Sequence, residues 1–184
     1  MTLGFGGAHV GVVDQQVSLT ATGGNTDLGD LLTIASTNFL DAKDLITGID
    51  TTDLSGTLLT AVESVHRIPD ILDRVVVIVD DHLSPAESAI LAQSGPMAEL
   101  VDQLFFAPLN QQWADASESM LTATQAFDTA VADGSISGVV TAEFQMLGVT
   151  FFEVIPAAFA TVPVTWIGSL FDDVVPASDL SFLF

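Results

Sequence analysis

No lysine or arginine follows Arg74, so the last 110 of the 184 residues carry formal charge of one sign only. Ion pairs within that stretch cannot neutralise it, and whatever holds it together must be apolar burial. The whole chain sets 24 Asp and Glu against Lys43, Arg67 and Arg74, a formal net charge of -21. Such a field repels nucleic-acid phosphates and anionic lipid headgroups, which excludes nucleic acid as a partner class. Cations, basic proteins and neutral lipids or glycolipids stay compatible with it.

Acidity of this degree often accompanies disorder, but disorder also needs low hydrophobicity. Here 49% of residues are hydrophobic and mean hydropathy is +0.55, whereas only 15% are charged against about 25% in a typical soluble domain. A folded or lipid-associated chain of one domain follows. The absence of cysteine excludes disulfides, thiolate metal sites and a cysteine nucleophile. The N-terminal residues lack the basic segment and long apolar segment of a secretory leader. The expectation from this is a cytoplasmic protein or one that leaves the cell by a non-classical route.

The patterning predicts a mostly α fold: a compact helical bundle preceded by an extended or short β-like arm. Residues 1–30 form the arm, rich in Gly and Thr, with Val17, Leu19 and Ala21 alternating with polar residues before Gly23-Gly24-Asn25. Residues 31–175 form the helical domain and 176–184 an apolar tail. One or two short helices are expected over 28–49 and another over Thr57–Arg67, where Pro69 interrupts. Ile68, Ile71, Leu72, Val75, Val76 and Val79 make a helical stripe, although Val75–Val79 alone would also suit a buried strand. Ser84-Pro85-Ala86-Glu87 reads as a capping box opening a helix that ends by Gly95-Pro96. Met97 to Phe105 and the long apolar face of residues 108–133 predict a bent helix or a helical hairpin, terminated by Gly134.

Residues 139–171 differ in kind. Their only charges are Glu143 and Glu153, Pro156 and Pro163 divide them, and 18 uncharged residues separate Glu153 from Asp172. That length is at the short edge of a membrane span of about 20 residues, and it equally suits the central helices of a soluble bundle or a docking surface. Phe144, Phe151, Trp166, Phe171, Phe182 and Phe184 in this region and the tail, together with Trp113, are the candidate interaction residues. Twelve phenylalanines without a tyrosine favour burial without polar contact.

Signals for chemistry are sparse. Asp80-Asp81-His82 could orient a general base or help hold a metal, but Asp, His and Ser are also ordinary residues of a solvated turn between helices. Asp70 and Arg74 stand at a spacing that favours an ion pair. Asp44, Asp50 and Asp53 are loosely spaced and could converge on a calcium ion around Gly48, although diffuse attraction of cations to the charged surface is the commoner reading of such residues. No nucleophile elbow, zinc-protease motif or phosphate loop occurs. No cofactor is expected.

The segment Ala107-Pro-Leu-Asn-Gln-Gln-Trp-Ala-Asp-Ala-Ser-Glu-Ser-Met-Leu121, continuing through Ala123-Thr-Gln-Ala-Phe127, resembles acidic helical segments of hypothetical proteins of mycobacteria and their relatives. Some of these accompany the Pro-Glu and Pro-Pro-Glu cell-envelope families. The resemblance extends over residues 95–175 and implies an actinobacterial, secreted or envelope-associated protein. It carries no catalytic motif, and the families' N-terminal Pro-Glu and tyrosine-centred secretion signal have no counterpart here. The expected function is a non-enzymatic structural or interaction protein. It would self-assemble, or dock to a protein partner, through its apolar C-terminal helices. The alternative is an envelope protein that contacts neutral lipid, inserting in it or forming a pore.

Overall fold

The computed structural model describes residues 28–93 and 95–171, all in helices or the short links between them. Four rods make up the fold. The first is α1 (Leu28–Thr47). The second joins α2 (Thr57–Ser64), a tight turn at Val65–Arg67, α3 (Ile68–Val77), a π-helical turn at Ile78–Leu83 and α4 (Ser84–Leu91). The third joins α5 (Pro96–Val101), a π-turn at Asp102–Phe106 and α6 (Ala107–Ala132). The fourth joins α7 (Ile136–Val149), a π-turn at Thr150–Val154 and α8 (Ile155–Phe171). The helical bundle is as the patterning predicts, and no strand occurs among the described residues. Most of the predicted arm and the whole predicted tail lie outside them; residues 28–30 already belong to α1.

Side-chain pairs fix the topology. Lys43 meets Asp73 and Ser36 meets Asp80, so the second rod runs antiparallel to α1. Asn38 meets Ser117 while Leu45 and Leu121 line one groove, so the third rod runs parallel to α1. Trp113 meets Thr161 and Thr124 meets Met146, so the fourth rod runs antiparallel to the third. The result is an up-down-up-down bundle.

At its centre α6 packs between α1 and α7. Its buried residues Trp113, Ala116, Met120, Ala123, Phe127 and Ala130 recur every three or four positions and alternate large with small. The same alternation runs through Leu32, Ala35, Phe39, Ala42 and Ile46 of α1. Large side chains of one helix can thus settle beside the alanines of the other. Trp113 and Phe39 meet edge to face, with ring centroids 6.0 Å apart and planes at 86°. The Trp113 indole Nε1 donates to Thr161 Oγ1 at 3.0 Å, so the anchor also reaches the fourth rod.

Three expectations about breaks are corrected. Ser84 does not cap a new helix: its backbone is helical at φ -61°, ψ -43°, and its side chain makes no cap. Likewise Pro108 and Pro156 do not begin or divide helices, and α8 continues through Pro163. Pro85, Pro108 and Pro156 each sit two residues after a π-turn. A proline inside a helix lacks an N–H and its ring crowds the carbonyl four residues back. Widening the preceding turn is one way to relieve that crowding while the rod continues. The stretch around Val75–Val79 is helical, and residues 28–47 form one helix of 20 residues.

The predicted stop at Gly134 holds. Its φ of +64° lies where glycine is favoured. Gly134 N–H donates to the Val131 carbonyl and Ser135 N–H to the Ala130 carbonyl, a Schellman ending. Ser135 then caps α7 by accepting from Gly138 N–H. The ion pair beside the Asp70–Arg74 site joins Asp73 to Lys43 across the helices at 2.6 Å, and Asp73 holds the Lys43 ammonium above its ordinary pKa.

The core carries polar groups that hydrophobic periodicity conceals. Glu87 is turned inward and accepts from Asn110 Nδ2 at 2.6 Å. Asp102, at the start of its π-turn, is only 7% exposed, and its Oδ1 has no hydrogen-bond partner among the described residues. Burial pushes the Asp102 carboxyl up from its ordinary value of 3.8.

Trp113→Ala should lower stability by about 3–5 kcal/mol in chemical denaturation, and Trp113→Phe by clearly less, because the cavity outweighs the single hydrogen bond. Asp102→Asn tests the buried carboxylate. A raised folded pKa favours the fold in acid, and that contribution disappears as pH rises through the folded value. At neutral pH the substitution should therefore raise stability by about 1 kcal/mol. Thermal unfolding across pH should show the gain closing below the ordinary value of 3.8.

Candidate interaction surface

The helix from Ile136 to Ser169 is apolar on two faces. Its inward residues are Val139, Ala142, Met146, Val149, Thr150, Val154, Ala157, Thr161, Val164 and Thr165, mostly small, and all are buried. Apart from the adjacent pairs Val149-Thr150 and Val164-Thr165 they advance by three or four positions, and the π-turn at Thr150–Val154 lies between the two halves. The extra residue is absorbed there, so the inward face of α8 stays in line with that of α7. Gly168 lets the rod approach closely, because a Cβ on it would lie 3.0 Å from that of Ala86 on α4.

The large residues point the other way. Phe144 is 70% exposed, Phe151 60%, Phe159 74% and Trp166 50%. Val140, Leu147 and Val162 are exposed between them, and Ile155 is half-buried. Side chains at these spacings share one side of a helix, and here too the π-turn keeps the two halves in line. Glu143 stands toward α2, where it accepts from Ser64 Oγ at 2.8 Å. Glu153 lines the groove shared with Gln112 and Asp115 of α6. The stripe itself is free of charge. Phe152, at 82% the most exposed aromatic among the described residues, sits beside it and lines a groove with Pro108 and Gln111.

Of the residues singled out from the sequence, Phe144, Phe151 and Trp166 lie on this stripe. Trp113 does not belong with them: it is fully buried and anchors helices to one another, which removes it from any external surface. The Phe171 side chain, Phe182 and Phe184 lie outside the described residues. Phe159 was missed because the run Ala157–Val164 offers no polar face against which to orient it. Exposed Met97, Leu100, Leu104 and Phe105 form a second, smaller apolar patch on the third rod.

The polar candidates do not converge. Asp80 accepts from Ser36 Oγ at 2.5 Å, and Asp80-Asp81-His82 lies within a π-turn of a continuous rod instead of a loop between helices. Asp50 accepts from the Thr52 hydroxyl and backbone N–H, which hold its carboxyl below the ordinary range. Among the described residues no three His, Asp or Glu side chains gather in a way that could hold a metal ion. The grooves are shallow and acidic: one of about 490 Å³ lies between α1 and α6 beside Asp41, Asp44 and Asp128.

By length and composition the Ile136–Ser169 helix, 34 residues with a mean hydropathy of 1.7, could cross a membrane; 33% of its most apolar window is buried in the bundle. No family model matches the chain, and neither a curated protein nor a solved structure matches it.

Proposed function

We propose that this chain is a non-enzymatic interaction protein that assembles, with copies of itself or with another protein, through the outward face of its fourth rod. One observation carries the reading. The fourth rod turns its small residues inward and leaves Phe144, Phe151, Phe159 and Trp166 in contact with water. Exposed apolar patches of this size are rare on monomers and mark interaction sites. The acidic remainder of the surface keeps such a particle dispersed except where the uncharged stripe is matched.

A second reading has its own support. The unbroken helix of 34 residues is long and apolar enough for a lipid layer, as in an envelope-associated protein. It requires the inward face to leave the bundle or the outward face alone to meet neutral lipid.

In detergent-free buffer, light scattering should give a particle larger than 19.2 kDa. The triple variant Phe144→Ser, Phe151→Ser, Phe159→Ser should remain folded and lose the assembly, since exposed substitutions disturb the fold little. A monomeric wild type that partitions into neutral vesicles favours the second reading instead. Assembly should also tighten as salt rises from about 0.01 to 1 M, because screening relieves the repulsion between chains of net charge -21.

A further inference from the structure

We infer that the occupant of this face is a second copy of the chain, lying antiparallel across it on a two-fold axis at Phe151. The inference rests on the assembly reading above and adds to it a partner, an orientation and a register. A two-fold interface uses one patch twice, so a residue at position i meets j of the partner while j meets i. An antiparallel pairing therefore has to present apolar, uncharged residues at matching distances on both sides of its centre.

The stripe does so. Phe151 stands at the middle, flanked by Leu147 on one side and Ile155 on the other. Beyond these come Phe144 and Phe159, then Val140 and Val162, and at the ends Ile136 and Trp166. The inner three pairs match in kind (aliphatic, aromatic and β-branched aliphatic) and both ends are large and apolar; Phe152, 82% exposed, has no such counterpart, since Thr150 is buried. Antiparallel packing also opposes the dipoles of the two long helices, where parallel packing would align them.

Area agrees with a second copy, and charge confines where it can sit. Each chain carries 24 acidic against 3 basic residues, so two copies can approach closely only where carboxylates are absent. The stripe between Glu143 and Glu153 at its edges is such a place. At about 200 Å² per aromatic side chain, the exposed shares of Phe144, Phe151, Phe159 and Trp166 leave about 500 Å² uncovered. The aliphatic residues between them bring the face toward the roughly 800 Å² per partner of a standard stable interface.

The chain has no cysteine, so introduced thiols report the pairing without background. The full-length protein would carry Phe144→Cys alone, Phe159→Cys alone, or both, with Phe151→Cys as the central probe. Cross-linking with a short bis-maleimide would be read on denaturing gels, after circular dichroism confirms an unchanged helical spectrum. The expected result is a covalent dimer for Phe151→Cys and for the double variant, with each outer single variant at least tenfold less cross-linked. Mixing the two outer single variants should restore cross-linking between them. Efficient self-cross-linking of Phe144→Cys and Phe159→Cys alone would overturn the antiparallel register and leave the assembly reading intact. A wild type of 19.2 kDa in solution, with no cross-link at any position, would overturn both.

Discussion

Apolar contact along α6 is the interaction on which the rest of this fold depends. With three basic residues for 24 acidic ones, ion pairs contribute little: the Lys43–Asp73 bridge lies at the surface, where solvent screens such pairs. Cohesion comes instead from Trp113, Met120 and Phe127 alternating with alanines, against a matching alternation on α1. This explains how so acidic a chain can fold. Carboxylates cost little on the outside of a bundle, and the inside needs none of them to pair. Glu87 and Asp102 are the exceptions, and both lie within a few residues of a proline-linked π-turn.

Those π-turns are the second organising device. Each lets a rod accept a proline and continue, and each adds one residue to the helical count. In the fourth rod the added residue has a consequence for the surface as well as for the core. With an unbroken α-helical period, the residues after Val154 would be turned by about 100° relative to the observed arrangement. The buried face of α8 and its exposed aromatics would then turn together relative to those of α7. One local irregularity therefore sets both faces at once.

Much of this architecture was legible in the sequence because it follows from strong local signals. The 3.6-residue spacing of Trp113, Met120 and Phe127 and the stop at Gly134 have direct physical causes. Prolines misled because the rule that places them at the first turn of a helix applies equally to a proline after a π-turn. Ser84-Pro85-Ala86-Glu87 has the residues of a capping box, yet Glu87 is spent on Asn110 inside the core. The face of the fourth rod could not be read either. Periodicity assigns a buried side only when the other side is polar, and between Glu153 and Asp172 neither side is. Phe144, Phe151 and Trp166 could be picked out as large apolar residues; their outward direction required the bundle.

That direction is the unusual fact about the molecule. A soluble bundle optimised alone would place phenylalanine inside and alanine or threonine outside, because each buried aromatic removes far more surface from water. Here Ala157 and Thr161 are buried while Phe159 between them is 74% exposed. The small inward residues bring the fourth rod close to α4 and α6, so the bundle is complete without the aromatics. A face that the fold neither needs nor covers, and that costs free energy in water, is best accounted for by what covers it. Acidity limits that covering: a partner can approach along the uncharged stripe but meets like charge on either side if it is another copy. The same imbalance that makes the face necessary to hide thus restricts how it can be hidden, to a narrow contact along one helix rather than a broad fusion of two cores.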